Sequence, residues 1–137
     1  MALDIDKHLG VLPAALAVRG RRTELLATNL ANADTPNYKA RDLDFRAALQ
    51  AASGPGAVGR PLTLATTQPG HQGGASAADP ADAALRHRVP LAPALDGNTV
   101  DAQLEQAAFA ENAVRYQATL TFLNAKFRSL MTAITGQ

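Results

Sequence analysis

The histidines are the residues best suited to bind a metal, but their spacing does not form a recognisable site. His8, His71 and His87 are far apart, and neither helical nor loop spacing pairs any two of them. The chain has no cysteine, so thiolate metal sites and disulfides are excluded. We therefore expect no bound metal.

The segment that begins at Asp96 resembles the start of a calcium-binding loop. Asp96 and Asn98 would occupy its first and third positions. The fifth position is then Val100 and the twelfth is Ala107, and neither side chain can ligate calcium. No serine or threonine lies in a recognisable catalytic motif, and there is no glycine-rich phosphate loop. The sequence thus predicts no catalytic residues, no cofactor and no enzyme.

The charges are nearly balanced, with a formal net charge of +1. Arg19, Arg21 and Arg22 are clustered, but Glu24 and the helical spread dilute them, so we expect no nucleic-acid partner. Three charged residues further along are interpreted as solvated or intersubunit pairs: Glu105, Glu111 and Arg115.

A first helix is predicted over residues 13–33, with Pro13 in its first turn. Its seam has alternating spacings of three and four residues: Leu12, Leu16, Arg19, Thr23, Leu26, Leu30 and Ala33. A second set lies on nearly the opposite side: Val11, Ala14, Val18 and Leu25. Apolar residues on two sides predict a helix that is covered on two sides.

A longer helix is predicted over residues 99–134, with Asp101 in its first turn and Gly136 after its last apolar residue. Its main seam consists of Phe109, Ala113, Tyr116, Leu120, Leu123, Phe127, Leu130 and Ile134. A second stripe consists of Val100, Leu104, Ala107, Val114, Ala118, Phe122 and Ala125. The first helix can cover only one of these faces, so we expect docking on neighbouring copies or a homologous partner. The plainer alternative is the core of a small helical bundle.

The middle of the chain, residues 51–95, holds most of the glycine and proline and has no Phe, Tyr or Trp. We expect a flexible, mostly irregular segment, because it has little apolar area to offset the entropy of ordering. Residues 60–67 and 85–91 are weak strand candidates, and residues 43–52 form the one short helical element beside the long helices. The predicted fold class is all-α, with the terminal helices paired as a coiled-coil hairpin. Its regions are 1–33, 34–50, 51–95 and 96–137, in one core domain.

A polar turn follows the first helix. Pro36 disfavours helix at the residue before it, and Asn37 tolerates positive φ, so the segment ends the helix. Asn29 and Asn32 lie three residues apart on one helix edge, from which they can bond a loop that folds back. A plain helix stop does not account for the full set of polar residues: Asn29, Asn32, Thr35, Pro36, Asn37 and Tyr38.

This turn resembles the signature of the flagellar rod and hook protein family. Residues 31–39 read Ala-Asn-Ala-Asp-Thr-Pro-Asn-Tyr-Lys, where the family has Ala-Asn-x-x-Thr-Pro-Gly-Tyr-Lys. Ala-Arg-Asp-Leu-Asp-Phe at residues 40–45 and Leu-Asp-Gly-Asn-Thr-Val-Asp at residues 95–101 are similar to the proximal rod proteins of that family. The resemblance covers roughly residues 9–50 and 90–137. Asn37 replaces the usual glycine, and it is the mildest replacement for a left-handed turn.

The resemblance implies a structural subunit of the bacterial flagellar basal-body rod. Such subunits assemble helically through their terminal helices into a torque-transmitting shaft around an export channel. They leave the cytosol through the flagellar type III export apparatus without a cleaved signal peptide and reach the periplasm. The implied partners are further copies, the rod proteins FlgC, FlgF and FlgG, and the adaptor FliE.

The sequence agrees with such an export route. Residues 1–12 lack the apolar core and cleavage site of a signal peptide, and no segment is apolar enough to span a membrane. The predicted helix-packing interface consists of Leu16, Leu26, Leu30, Phe109, Tyr116, Leu120, Leu123, Phe127, Leu130 and Ile134. The alternative function is a soluble helical-hairpin adaptor or an export-chaperone-like binding module.

Overall fold

The computed structural model of the chain describes residues 5–53, 84–90 and 92–136. Its elements, in chain order, are α1 (Ile5–Leu9), α2 (Leu12–Ala31), β1 (Arg41–Leu43), α3 (Phe45–Ser53), β2 (Leu85–His87) and α4 (Ala102–Thr135). The helices account for most of the described residues, and each strand has only three residues. The predicted all-α class with long terminal helices is confirmed.

Helices α2 and α4 pack against each other in antiparallel directions, because Asn29 of α2 lies beside Glu105 of α4 and Thr23 beside Asn112. At 1.5 Å per residue, the 34 residues of α4 span about 51 Å and the 20 residues of α2 about 30 Å. The far end of α4 therefore extends beyond the start of α2. There it shares a groove with α1, an element that the sequence did not predict separately.

The caps of α4 differ in one detail from the prediction. Asp101 is itself the N-cap, and its side chain accepts hydrogen bonds from the N–H groups of Gln103 at 3.0 Å and Leu104 at 3.2 Å. The helix thus begins at Ala102, whereas residue 99 was predicted. At the other end Gly136 has φ +73° and donates its N–H to the carbonyl of Thr132, as a left-handed C-cap does.

The second face of α2 is covered by the chain itself. Val18 and Leu25 are buried there in one apolar cluster with a residue of β1, a residue of α3 and the residue before β2: Leu43, Ala48 and Ala84. The sequence predicted that this face is covered but did not identify what covers it. Short apolar elements elsewhere in the chain fill it.

Strands β1 and β2 form an antiparallel ladder that pairs Arg41 with His87, Asp42 with Arg86 and Leu43 with Leu85. Strand β2 lies within the predicted strand candidate 85–91. The candidate at residues 60–67 lies outside the described residues. Strand β1 was not predicted, and the short helix α3 begins at Phe45 rather than at residue 43.

Candidate assembly interface and its polar anchor

The C-terminal end of α2 is capped by a residue from the other half of the chain. The side-chain amide of Asn98 donates to the carbonyls of Asn32 at 3.1 Å and Ala33 at 2.6 Å. Asn98 is 6% exposed. The last carbonyls of a helix have no partner within it, so this amide satisfies groups that would otherwise be unpaired.

The two segments that carry the family resemblance contact each other directly. The N–H of Asn37 donates to the carbonyl of Asp96 at 2.8 Å, and the N–H of Thr99 donates to the carbonyl of Tyr38 at 3.0 Å. Asn37 has φ +60° and Gly97 has φ +72°. This φ of Gly97 is strained for any other residue, and a Cβ there would also lie 2.6 Å from Oδ1 of Asn37, so the position favours glycine. Residues 31–39 and 95–101 thus form one structural unit.

Asn29 fixes the chain that returns after this turn. Its buried side-chain amide donates to the carbonyl of Arg41 at 2.8 Å, and its Oδ1 accepts from the N–H of Arg41 at 3.2 Å. The hydroxyl of Tyr38 also donates to Oδ1, at 3.3 Å. The amide further donates to Glu105 at 3.2 Å, so one residue of α2 joins the turn, β1 and α4.

Glu105 of α4 is completely buried and belongs to a charge network, which we define as Arg22, Asp42, Arg88 and Glu105. A guanidinium nitrogen of Arg88 lies 2.8 Å from Oε1 of Glu105, and Arg88 also pairs with Asp42. The interpretation of Glu105 as a solvated or intersubunit residue is wrong. Its partners come from segments distant in sequence, which bring the opposite charge that burial requires.

Asp42 connects this network to α2. Arg22 donates to both of its carboxylate oxygens, from Nε at 2.9 Å and from a terminal nitrogen at 2.8 Å. Burial by itself would raise the pKa of Asp42. The hydrogen bonds from Arg22, the Leu43 N–H and Arg88, together with the Arg22 charge, outweigh burial and hold this pKa below its usual value.

This lowered pKa predicts a loss of stability in acid. The ion pairs of Asp42 contribute fully above its unfolded-state pKa, and their contribution falls as the pH drops through the lower folded-state pKa. We expect Asp42→Asn to lower the free energy of unfolding by about 1–3 kcal/mol at neutral pH and to flatten its decline in acid. Urea denaturation over a pH series measures both effects. Parallel pH profiles for the two proteins would contradict the prediction.

A line of polar residues faces α2 from α4: Glu105, Asn112 and Thr119, all buried and spaced by seven residues. The side-chain amide of Asn112 donates to the carbonyl of Arg19 at 3.0 Å and to the hydroxyl of Thr23 at 2.9 Å. At 100° per residue, this line is rotated by roughly 50° from the predicted apolar seam. Ala113 of that seam is accordingly exposed.

The predicted helix-packing residues have three levels of exposure. Leu26 is completely buried. A larger group is half-buried: Leu16, Leu30, Phe109, Tyr116, Leu120, Leu123 and Leu130. Phe127 and Ile134 are exposed, at 44% and 72%, since they lie beyond the start of α2.

The predicted turn residues other than Asn29 are more exposed. Asn32 and Tyr38 are half-buried, whereas Thr35, Pro36 and Asn37 are exposed. The hydroxyl of Thr35 donates to Oδ1 of Asn32 at 3.2 Å, which closes the turn locally. Unlike Asn29, Asn32 donates its side-chain amide to a carbonyl of its own helix, that of Thr28, at 2.8 Å.

Sequence reasoning missed five buried or partly buried polar residues as site residues: Asp42, Arg88, Glu105, Asn112 and Thr119. The heptad spacing of the last three was available as a signal. Because these positions are polar, the apolar periodicity assigned the helix interface to the neighbouring apolar residues instead. The predicted pair of Glu111 and Arg115, by contrast, forms at the surface.

An apolar face of α4 points away from the rest of the chain. We call it the outward stripe: Leu104, Ala107, Val114, Ala118, Phe122 and Ala125, all exposed. Val114 is 71% exposed and Phe122 is 61% exposed. The stripe is turned by roughly 120° from the buried polar line, so α2 cannot cover it. Exposed apolar residues arranged in a continuous row are typical of a protein interaction surface.

The apolar surface continues at the end of α4. Phe127, Met131 and Ile134 line an open groove of about 700 Å³ with Ile5 of α1. Within the described ranges, no group of three or more potential metal-binding side chains is found. No described helix is long and apolar enough to cross a membrane.

Comparison with known proteins identifies the family. No protein-family model matches the chain. The chain is 48% identical over 130 residues to a flagellar basal body rod protein FlgB of Cereibacter sphaeroides, with 95% of each chain covered. It is 41% identical over 138 residues to that of Aeromonas hydrophila, covering 100% of this chain and 99% of the relative. It is 38% identical over 130 residues to that of Escherichia coli strain K12, covering 95% and 94%.

These identities extend over nearly the whole chain, beyond the two segments that carried the resemblance. The chain belongs to the family of flagellar basal body rod proteins FlgB.

Proposed function

We propose that the chain is a subunit of the proximal rod that assembles helically through its terminal helices. The assembled subunits form the torque-transmitting shaft around the export channel. The protein acts by binding other subunits and catalyses no reaction. Its partners are further copies, the rod proteins FlgC, FlgF and FlgG, and the adaptor FliE.

The outward stripe is the observation that carries this proposal. Together with the end of α4, the chain exposes six large apolar side chains on this helix: Leu104, Val114, Phe122, Phe127, Met131 and Ile134. Full burial of one such side chain is worth about 1.5–3 kcal/mol. Six of them represent on the order of 10 kcal/mol, which equals the whole stability of a typical domain. Association with neighbouring helices would release that free energy.

Three groups of residues have different roles within one core domain. The residues of the turn, with Asn29 at their centre, hold the returning chain on α2. The half-buried residues between α2 and α4 hold the two long helices together. The outward stripe and the exposed Phe127 and Ile134 contact neighbouring subunits. Export through the type III apparatus, without a cleaved signal peptide, places the subunit in the periplasmic part of the basal body.

Imaging of purified basal bodies with a tagged chain tests this proposal. We expect the tag in the proximal part of the rod, next to the inner-membrane ring. We also expect hydrogen exchange at the ends of α1 and α4 to be fast in the dilute monomer and slow after assembly, because only assembly covers them.

Two results would contradict the proposal. Recovery of the protein only from the cytosol of flagellated cells would favour the adaptor or chaperone-like alternative. Slow, uniform exchange in the dilute monomer would show that the terminal helices need no neighbours.

A further inference from the structure

Two buried polar groups of α4, seven residues apart, have different partners on the rest of the chain. Glu105 presents a carboxylate to Arg88 and to the amide of Asn29. Asn112 presents an amide to the carbonyl of Arg19 and to the hydroxyl of Thr23. One group accepts hydrogen bonds and the other donates them. The two positions are therefore chemically distinct, although they are equivalent in the helical repeat.

Maximal stability does not explain Asn112. Among the described residues its Oδ1 is buried without a hydrogen-bond partner, and a buried unsatisfied oxygen is unfavourable. A leucine of nearly the same size would fill the position without that penalty. In paired helices, a single buried asparagine of this kind lowers stability and selects one alignment of the helices.

The alternative to the observed alignment is a shift of α4 along α2 by one helical repeat. The faces of α2 and α4 are rich in alanine and leucine at repeating intervals, so a shift of α4 by seven residues preserves much of the apolar contact. Such a shift would place the carboxylate of Glu105 against the carbonyl of Arg19. Two acceptors would then face each other in a buried position, and Arg88 would lose its buried counter-charge.

We propose that Asn112 and Glu105 form a register key, which selects one alignment of α4 on α2. By fixing that alignment, the key also determines where along α2 the outward stripe of α4 lies. The alignment itself is a property of the single chain. Its consequence for assembly, the presentation of the outward stripe, rests on the proposed function.

The absence of cysteine from the chain allows a direct test by engineered disulfides. Gly20 of α2 and Ala113 of α4 line the same groove between the helices, and the contacts of Asn112 with Arg19 and Thr23 place the two residues opposite each other. A Cβ at Gly20 would not approach another described residue within 4 Å, so a cysteine fits there. The pair Gly20→Cys with Ala113→Cys therefore reports the observed alignment. The pair Gly20→Cys with Gln106→Cys reports an alignment shifted by seven residues, and Gln106 is exposed.

In the dilute, full-length chain we expect the first pair to oxidise at least about tenfold faster than the second, because a disulfide tolerates little displacement. Asn112→Leu should reduce this ratio to within about twofold. Asn124→Leu makes the same replacement at an exposed position of the same helix and should leave the ratio unchanged. If circular dichroism shows that Asn112→Leu does not fold, the smaller Asn112→Ala is measured in the same way.

An unchanged ratio in the folded Asn112 variant would overturn the register key. So would equal rates for the two pairs in the parent chain. Because the measurement uses the monomer, it does not depend on assembly. A parent chain that shows the expected ratio but never enters the rod would contradict the proposed function and leave the register key intact.

Discussion

Replacement of Glu105 by alanine is expected to lower the free energy of unfolding by about 3–5 kcal/mol. The carboxylate is completely buried, and its removal leaves Arg88 without its partner on α4 and Asn29 without one of its acceptors. Each of these groups is still withdrawn from water, and the lost partner no longer offsets that unfavourable free energy. Urea denaturation followed by far-UV circular dichroism measures the change. A loss of this size is a large fraction of the stability of a typical domain.

Glu111→Ala is the matched control, because it removes the same side chain six residues along the same helix. Glu111 pairs with Arg115 across one turn of α4, and both side chains are more than half exposed. Exposed pairs of this kind contribute about 0.5 kcal/mol. A loss at Glu105 no larger than the loss at Glu111 would contradict the assigned importance of the buried charge network.

The long helices were predictable because their signals are local. The three-four spacing of apolar residues, Pro13 near one start and Gly136 at one end all act within a few residues of the position they specify. The turn after α2 was predictable for the same reason, since Pro36 and Asn37 restrict their own backbone. The contact between this turn and residues 95–101 was not, because no local rule relates them.

The face that α4 turns toward α2 was predicted with an error of roughly 50°, which is half of the rotation per residue. Apolar periodicity placed Ala113 in the interface, whereas the structure places Asn112 there. A polar residue is buried where a specific partner compensates it, and the partner here is the backbone carbonyl of Arg19. That partner lies 93 residues away in the sequence, beyond any pattern read along the chain.

Strand β1 escaped prediction for a related reason. Three residues are too few to show an alternating pattern, and their extended form depends on pairing with β2. Asp42 at the centre of the strand acquires Arg22 and Arg88 as partners only once the strands meet. The charge network thus depends on tertiary structure, whereas the helices that it joins are determined by residues close together in the sequence.

Helix α4 combines a polar buried line with an apolar exposed stripe, the reverse of an ordinary surface helix. Specific polar contacts and half-buried residues such as Phe109, Leu120 and Leu123 attach it to its own chain, so the apolar residues of the outward stripe need not be used for that purpose. Val114, Phe122 and Met131 therefore remain available on the surface. This division of roles suits a subunit that folds as a single chain and then binds neighbours strongly.

Phe122→Asp should accordingly separate folding from assembly. Phe122 is 61% exposed in the single chain, so we expect the free energy of unfolding of the monomer to change by no more than about 0.5 kcal/mol. In an assembled rod the same position would bury an unpaired carboxylate between apolar side chains, at a cost of several kcal/mol for every contact. We expect incorporation into basal bodies and swimming motility to be lost.

Asn124→Asp is the control for the added charge. It introduces the same carboxylate two residues further along α4, also at an exposed position but turned by roughly 200° from Phe122. We expect this variant to assemble and to support motility better than Phe122→Asp. Normal motility with Phe122→Asp would show that the outward stripe is not part of the assembly interface. A large loss of monomer stability in that variant would instead mean that Phe122 supports the fold of its own chain. Because the two variants carry equal charge, a difference between them measures the face of the helix on which neighbouring subunits bind.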